Sequence, residues 1–251
     1  MEDVREAIGI EKVDMSGKLI FVEEHHKADA NFIYHTLTSH CMEKNNIICF
    51  VLFHNTFGHF HNVGMKLDYN LKKVQDKNVK VIEPLRLVTR NMEMSTSNLV
   101  KELAGIIQIK CISTEKESVD QKVYVIIDDL SHLFDIGLSM EDVWLFTRYL
   151  RSFVKQEPFF TVCIGSHIYK SLGHQCLPNL AAVVLKHFAD LIISVQPLET
   201  GFSKSASGKV IVYWKASNER HKFKWPKETM YLYKLLDRQV KLFEPGSSCI
   251  M

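Results

Sequence analysis

The residues best placed to do chemistry follow one apolar run. In KVYVIIDDLSHLF, Lys122–Phe134, five apolar residues lead straight into the adjacent Asp128 and Asp129. A carboxylate at the end of a buried strand is how nucleotide-hydrolysing α/β folds help to hold the Mg²⁺ of their substrate. It needs a companion loop, G-x-x-x-x-G-K-[ST]. The loop's backbone N–H groups approach the phosphates, its lysine reaches the outer phosphates, and its hydroxyl binds the metal. That loop belongs between the first strand and the first helix, where this chain reads EEHHKADAN, Glu23–Asn31. The stretch has no glycine, sets two carboxylates where phosphate charge would sit, and offers Lys27 as its one lysine. The later Gly208-Lys209 pair is followed by Val210 and reads as part of a hairpin. Asp128 and Asp129 are therefore expected to be the degenerate remnant of a metal-holding strand, capping the next helix with Ser131 as the alternative cap.

The remaining reactive side chains give no diagnostic spacing. His54, His59 and His61 in HNTFGHFH, and the His25-His26 pair, lack an H-x-x-x-H or CxxC partner. His59 and His61, two apart, do not share a helical face. GSHIY around Ser166 is not a G-x-S-x-G elbow. No catalytic residue, metal ligand or cofactor is expected. In KASNERHKFKWPKE, Lys215–Glu228, Arg220, Lys222 and Lys224 alternate with His221, Phe223 and Trp225. On a strand, that period puts bases on one face and rings on the other. Either the bases meet RNA phosphates, or the segment is an edge strand kept soluble by its lysines. The small net charge favours the second reading.

Positioning these residues requires a layered sheet. Apolar runs alternate with amphipathic segments: KLIFV, a helix over Asn31–Asn45, IICFVLFH, a helix near His59–Lys73, VKVIEPL, a helix from about Ser97 to Ile109 opened by STSN, then VYVIIDD. A helix near Met140–Lys155, FFTVCIG, a helix near Asn179–Phe188 and ADLIISVQPL follow. This order predicts an α/β fold with a mostly parallel sheet flanked by helices. GKVIVYWKA, ETMYLYKLLD and QVKLFEP predict antiparallel strands appended near the C-terminus, with SASGK as turn chemistry. The expected organisation is an N-terminal extension over 1–16, one domain over 17–245 and a tail over 246–251.

Composition sets the outer limits. With 251 residues, 46% hydrophobic and 24% charged, the chain can build one substantial core. Apolar runs such as IICFVLF fall well short of the roughly 20 residues a spanning helix needs, so no membrane segment is expected. The N-terminus has no apolar signal core, which predicts a chain that is not secreted. Six cysteines without CxxC pairs read as reduced thiols in a cytoplasmic or nuclear protein. Cys249 is third from the end, where a prenylation box needs it fourth. A net charge of +2 restricts nucleic-acid binding to a local patch.

Several of these features together resemble a known family. They are the order of elements of a RecA-like domain, the remnant strand VYVIIDDLSHLFDIGLS, the erased phosphate loop, and LETGFSKSASGKVIVYWKA. VGMKLDYNL fits the helix after the second strand. The chain thus resembles, from Lys18 to Phe243, the family of sixth subunits of the Elongator complex. The resemblance implies a RecA-like pseudo-ATPase with no catalytic role. It further implies a hetero-hexameric ring with the fourth and fifth Elongator subunits that binds tRNA and supports wobble-uridine (U34) modification. In RecA-like rings the loop after the strand that follows the metal strand points to the channel. Here it is SHIYKSLGHQCLPN, Ser166–Asn179, which makes Lys170 a candidate RNA or partner contact. Lys204 and Lys209 in GFSKSASGK are further candidates. Two other readings stay open: an inactive RecA-type paralogue in DNA recombination, and a divergent NTPase using Lys27 and Asp128.

Overall fold

Strands with apolar residues on both faces must be covered on both faces, and helices supply the cover. The computed structural model describes residues 1–75, 77–86, 96–112, 120–169, 176–199, 201, 203 and 205–246. Its nine strands are β1 (Leu19–His25), β2 (Ile47–Leu52), β3 (Val79–Ile82), β4 (Val123–Asp128), β5 (Phe160–Ile168), β6 (Leu191–Gln196), β7 (Gly208–Trp214), β8 (Glu228–Leu236) and β9 (Gln239–Phe243). They form one sheet in the order β3-β2-β4-β5-β1-β6-β7-β8-β9. The first six in that order run parallel, and β7, β8 and β9 are added antiparallel. This is the architecture expected from the sequence.

The helices are α1 (Glu2–Ile8), α2 (Asn31–Glu43), α3 (Phe57–Lys66), α4 (Thr96–Ile112), α5 (His132–Asp135), α6 (Met140–Gln156), α7 (Leu177–Phe188) and α8 (Ser217–Phe223). A 3₁₀ turn spans Leu71–Val74. Side chains alternate across each strand. Leu19, Phe21, Val125, Ile127 and Val162 therefore pack under α4, α6 and α7, while Ile20, Val22, Phe50 and Ile126 pack under α2 and α3. Helix α6 opens with a capping box: Ser139 Oγ accepts from the Asp142 N–H, and the Asp142 carboxylate accepts from the Ser139 N–H.

Residues 1–16 are tied into this architecture. Val4, Ile8, Ile10, Val13 and Met15 are buried, and the Arg5 guanidinium grips the Glu43 carboxylate at the end of α2. The strand expected across Arg220–Trp225 is overturned, because Ser217–Phe223 forms a helix closed by Lys224 in the left-handed conformation. The alternation of exposed lysines with half-buried rings at Lys222–Trp225 comes from the end of a helix and its left-handed cap, not from a strand. Glu219, Arg220 and Lys222 suit a helix, and among the described residues no strand pairs with them. Phe223 and Trp225 both turn inward, with Trp225 stacked on Phe223 and packed against Trp214.

Two packing details have measurable consequences. A Cβ at Gly165 would collide with the Tyr34 phenol, so Gly165→Ala forces the fully buried Tyr34 out of place. The expected loss is about 1–3 kcal/mol in urea denaturation. His35 lies buried in α2, with Nδ1 against the Tyr69 hydroxyl and its ring 5.0 Å from that of Phe60. Burial, reinforced by His59, lowers its pKa to about 3. The folded state thus keeps His35 neutral while the unfolded chain binds a proton near about 6.5. Stability is expected to fall as pH drops from about 6.5 toward 3, by up to about 1.4 kcal/mol per pH unit. A His35→Gln variant should show a shallower dependence in denaturation series between about pH 7 and about pH 4.5.

Candidate functional site at the carboxyl ends of the central strands

In a parallel sheet the carboxyl ends of all strands converge on one edge, the usual ligand position of such folds. Here that edge gathers Glu23 and Glu24 from β1, His54 and Asn55 after β2, Asp128 and Asp129 from β4, and Ser166 and His167 from β5. The two aspartates are buried and diverge in role. Asp128 Oδ2 accepts from Asn55 N (3.1 Å) and Asn55 Nδ2 (3.0 Å), which fixes the turn after β2. Burial raises the Asp128 pKa against those hydrogen bonds, and the Asp129 charge adds to the rise.

Asp129 turns to the other side. Its Oδ1 accepts from Ser131 N (2.6 Å) and Ser131 Oγ (2.5 Å), and its Oδ2 meets His167 Nδ1 directly. It thus shapes the turn entering α5, while Ser131, the N-cap residue, makes no side-chain cap bond. Burial opposes ionisation of Asp129, but the His167 hydrogen bond, the His167 charge and Ser131 outweigh it, leaving the carboxyl below its ordinary range. The imidazole answers in kind. Burial disfavours its charged form, yet Asp129 and Glu24 push its pKa up to about 10.

The position of the phosphate loop is filled by the protein's own anions. Glu24 Oε2 accepts the Ala30 N–H (3.2 Å), and Asp29 Oδ1 accepts the Asn31 N–H (2.9 Å). These amides begin α2, the place where a nucleotide-binding relative would present free N–H groups to phosphate. Glu24 Oε1 also lies 3.5 Å from His167 Nε2. Glu23 is paired with Lys186 Nζ at 2.5 Å. Lys27 lies in this loop with positive φ, and the Asp128 carboxylate is already engaged by Asn55.

The candidate contact residues divide. Lys170 and Lys204 lie outside the described residues. Lys209, which pairs with Gln196 at the carboxyl end of β6, is held by Glu199 at 2.7 Å. Arg220, Lys222 and Lys224 follow β7 at the opposite edge, where Trp214 pairs with Leu191. They therefore share no surface with Asp128 and Asp129, and Lys222 Nζ rests over the Phe223 ring.

Sequence spacing missed a histidine cluster. His54 stacks on His132 with ring centroids 5.0 Å apart, and His167 lies edge-on to both at about 6 Å. The three come from three strand ends, so no local motif joins them. The available signal was a histidine shortly after each of three apolar runs, in FVLFH, VIIDDLSH and CIGSH.

Known proteins share this frame. The family described as Elongation complex protein 6 matches residues 8–237. Elongator complex protein 6 of Mus musculus is 28% identical, with 88% of each chain covered. Its Drosophila melanogaster counterpart is 24% identical, covering 96% of this chain and 95% of its own. Among solved structures, an uncharacterized Pyrococcus horikoshii protein in complex with an unknown peptide superposes with a TM-score of 0.66 at 11% identity over 98% of each chain. A KaiC-like protein of the same archaeon gives a TM-score of 0.57 at 9% identity, over 91% of this chain and 90% of its own. The structural likeness establishes a RecA-like fold. With sequence similarity running nearly end to end, the chain belongs to the Elongation complex protein 6 family.

Proposed function

We propose that this chain is a non-catalytic Elongator subunit that joins the fourth and fifth subunits in a hetero-hexameric RecA-like ring, and that the assembled ring binds tRNA and supports wobble-uridine modification. The observation that carries this reading is the closed anion seat. Within a RecA-like fold, the amides that would cradle phosphate are taken by Glu24 and Asp29, and Asp128 is taken by Asn55. A triphosphate would have to displace two carboxylates and then sit among Glu23, Glu24 and Asp129, a cost in charge repulsion that makes turnover by this chain alone unfavourable.

A scaffold role needs apolar surface at its flanks, because heterologous rings bury a different patch on each side of every subunit. Helix α7 supplies one. Leu177, Leu180 and Val183, at helical spacing, are 42%, 39% and 46% exposed, and the nearby Trp144, 36% exposed, packs on Phe188. The four buried free cysteines, Cys41, Cys49, Cys111 and Cys163, suit a reducing compartment, so the cytoplasm, with the nucleus as a second location, is the proposed site of action.

The test is affinity purification of the tagged chain from its own cells in moderately high salt, with native mass and co-purifying proteins identified. Equal recovery of the fourth and fifth Elongator subunits at a hexamer's mass, with tRNA retained by that assembly, is the expected result. Recovery of recombinases, or of a lone monomer, would sink the proposal. Paired Leu180→Glu and Val183→Glu changes should leave circular dichroism and melting unchanged while lowering recovery of at least one ring partner about tenfold or more.

A further inference from the structure

The histidine cluster has the makings of a metal centre. Asp129, His132 and His167 each present a ligand atom, and these atoms all lie within 4.8 Å of one another. A tetrahedral zinc-type site sets its ligands about 3.4 Å apart, given metal–ligand bonds of about 2.0–2.1 Å. An ion would have to draw the three side chains together from that spacing. His132 carries the clearest mark: its Nδ1 is held by Asp135 at 2.7 Å, while its Nε2 is buried with no hydrogen-bond partner among the described residues. A carboxylate on one imidazole nitrogen fixes the tautomer and directs the lone pair of the other at a metal. Burying that lone pair unpaired is otherwise unfavourable. His167 stands against Asp129, and His54, exposed to solvent, stacks on His132.

We propose that Asp129, His132 and His167 bind one divalent transition-metal ion of the zinc class, with Asp135 as the positioning partner of His132 and the exposed His54 side as the entry path. Two imidazoles and one carboxylate suit Zn²⁺ or Co²⁺, and not Mg²⁺, which takes oxygen ligands and keeps its waters. The ion ties the end of β4 and the start of α5 to the end of β5. It occupies a strand end without needing phosphate, so it is independent of nucleotide binding and of the ring assignment.

The experiment uses the tag-free full-length chain, stripped with chelator and titrated with Co²⁺. The expected result is saturation at a single equivalent with the visible d–d bands of a four-coordinate ion, displacement by Zn²⁺, and a melting temperature raised by Zn²⁺ but not by Mg²⁺. Asp135→Asn should weaken binding about 10–100-fold while leaving the ligands in place. His132→Gln should abolish the spectrum, and His59→Ala, away from the cluster, should retain it. Should His132→Gln fail to fold, the Asp135→Asn affinity decides. An absent or non-saturating Co²⁺ signal in the wild type, undiminished binding in either cluster variant, or equal stabilisation by Mg²⁺ would overturn the proposal.

Discussion

The Glu24 carboxylate between the Ala30 amide and the His167 imidazole governs the strand-end edge of this molecule. A helix beginning with unsatisfied N–H groups draws an anion to its N-terminus. Here the anion is supplied by the strand that immediately precedes the helix. That choice folds Glu23–Asn31 back on itself and seats the Glu24 side chain beside β5. His167 is then favoured as the imidazolium, since it faces carboxylates on two sides, and a bound ion would take the place of that proton. The charge on His167 in turn holds Asp129 ionised in a buried place where a lone carboxylate would take up a proton. One internal ligand thus replaces an external one, and the electrostatics of three strand ends, those of β1, β4 and β5, follow from the replacement.

The adjacent aspartates show how one strand end can serve two neighbours. Asp128 and Asp129 point apart, one to Asn55 after β2 and one to Ser131 and His167. Burial pushes both carboxyls up, and their opposite displacements follow from what opposes it: the Asn55 amides do not offset it at Asp128, while the His167 imidazolium and Ser131 outweigh it at Asp129. A pair that would bind a nucleotide's metal elsewhere has become the brace between β2, β4 and β5.

What the sequence made legible was what period and composition encode. VYVIID is apolar on both faces and had to be a central strand, and GKVIVYW had to be a strand near a turn. The missing phosphate loop was legible as an absence of glycine. The segment Ser217–Phe223 misled because alternating charges imitate a strand's period, and only the packing of Phe223 and Trp225 under Trp214 reveals the helix. The cluster of His54, His132 and His167 was invisible for a different reason. Its members lie 78 and 35 residues apart in sequence and meet only because β2, β4 and β5 lie side by side. Local spacing carries no information about neighbours created by strand order.

The buried N-terminal helix has a consequence for how the chain is made. Val4 and Ile8 of α1 share a core with Val240 of β9, so α1 packs beside a strand that is synthesised more than 200 residues after it. At about 5–20 residues per second, the ribosome takes on the order of ten seconds or more to deliver that strand. Through this interval α1 can hold to α2 by the Arg5–Glu43 grip, with the part of its apolar side that meets β9 still uncovered. Covering of α1 therefore waits on the synthesis of β9, and a nascent chain halted before that strand presents this apolar face to chaperones.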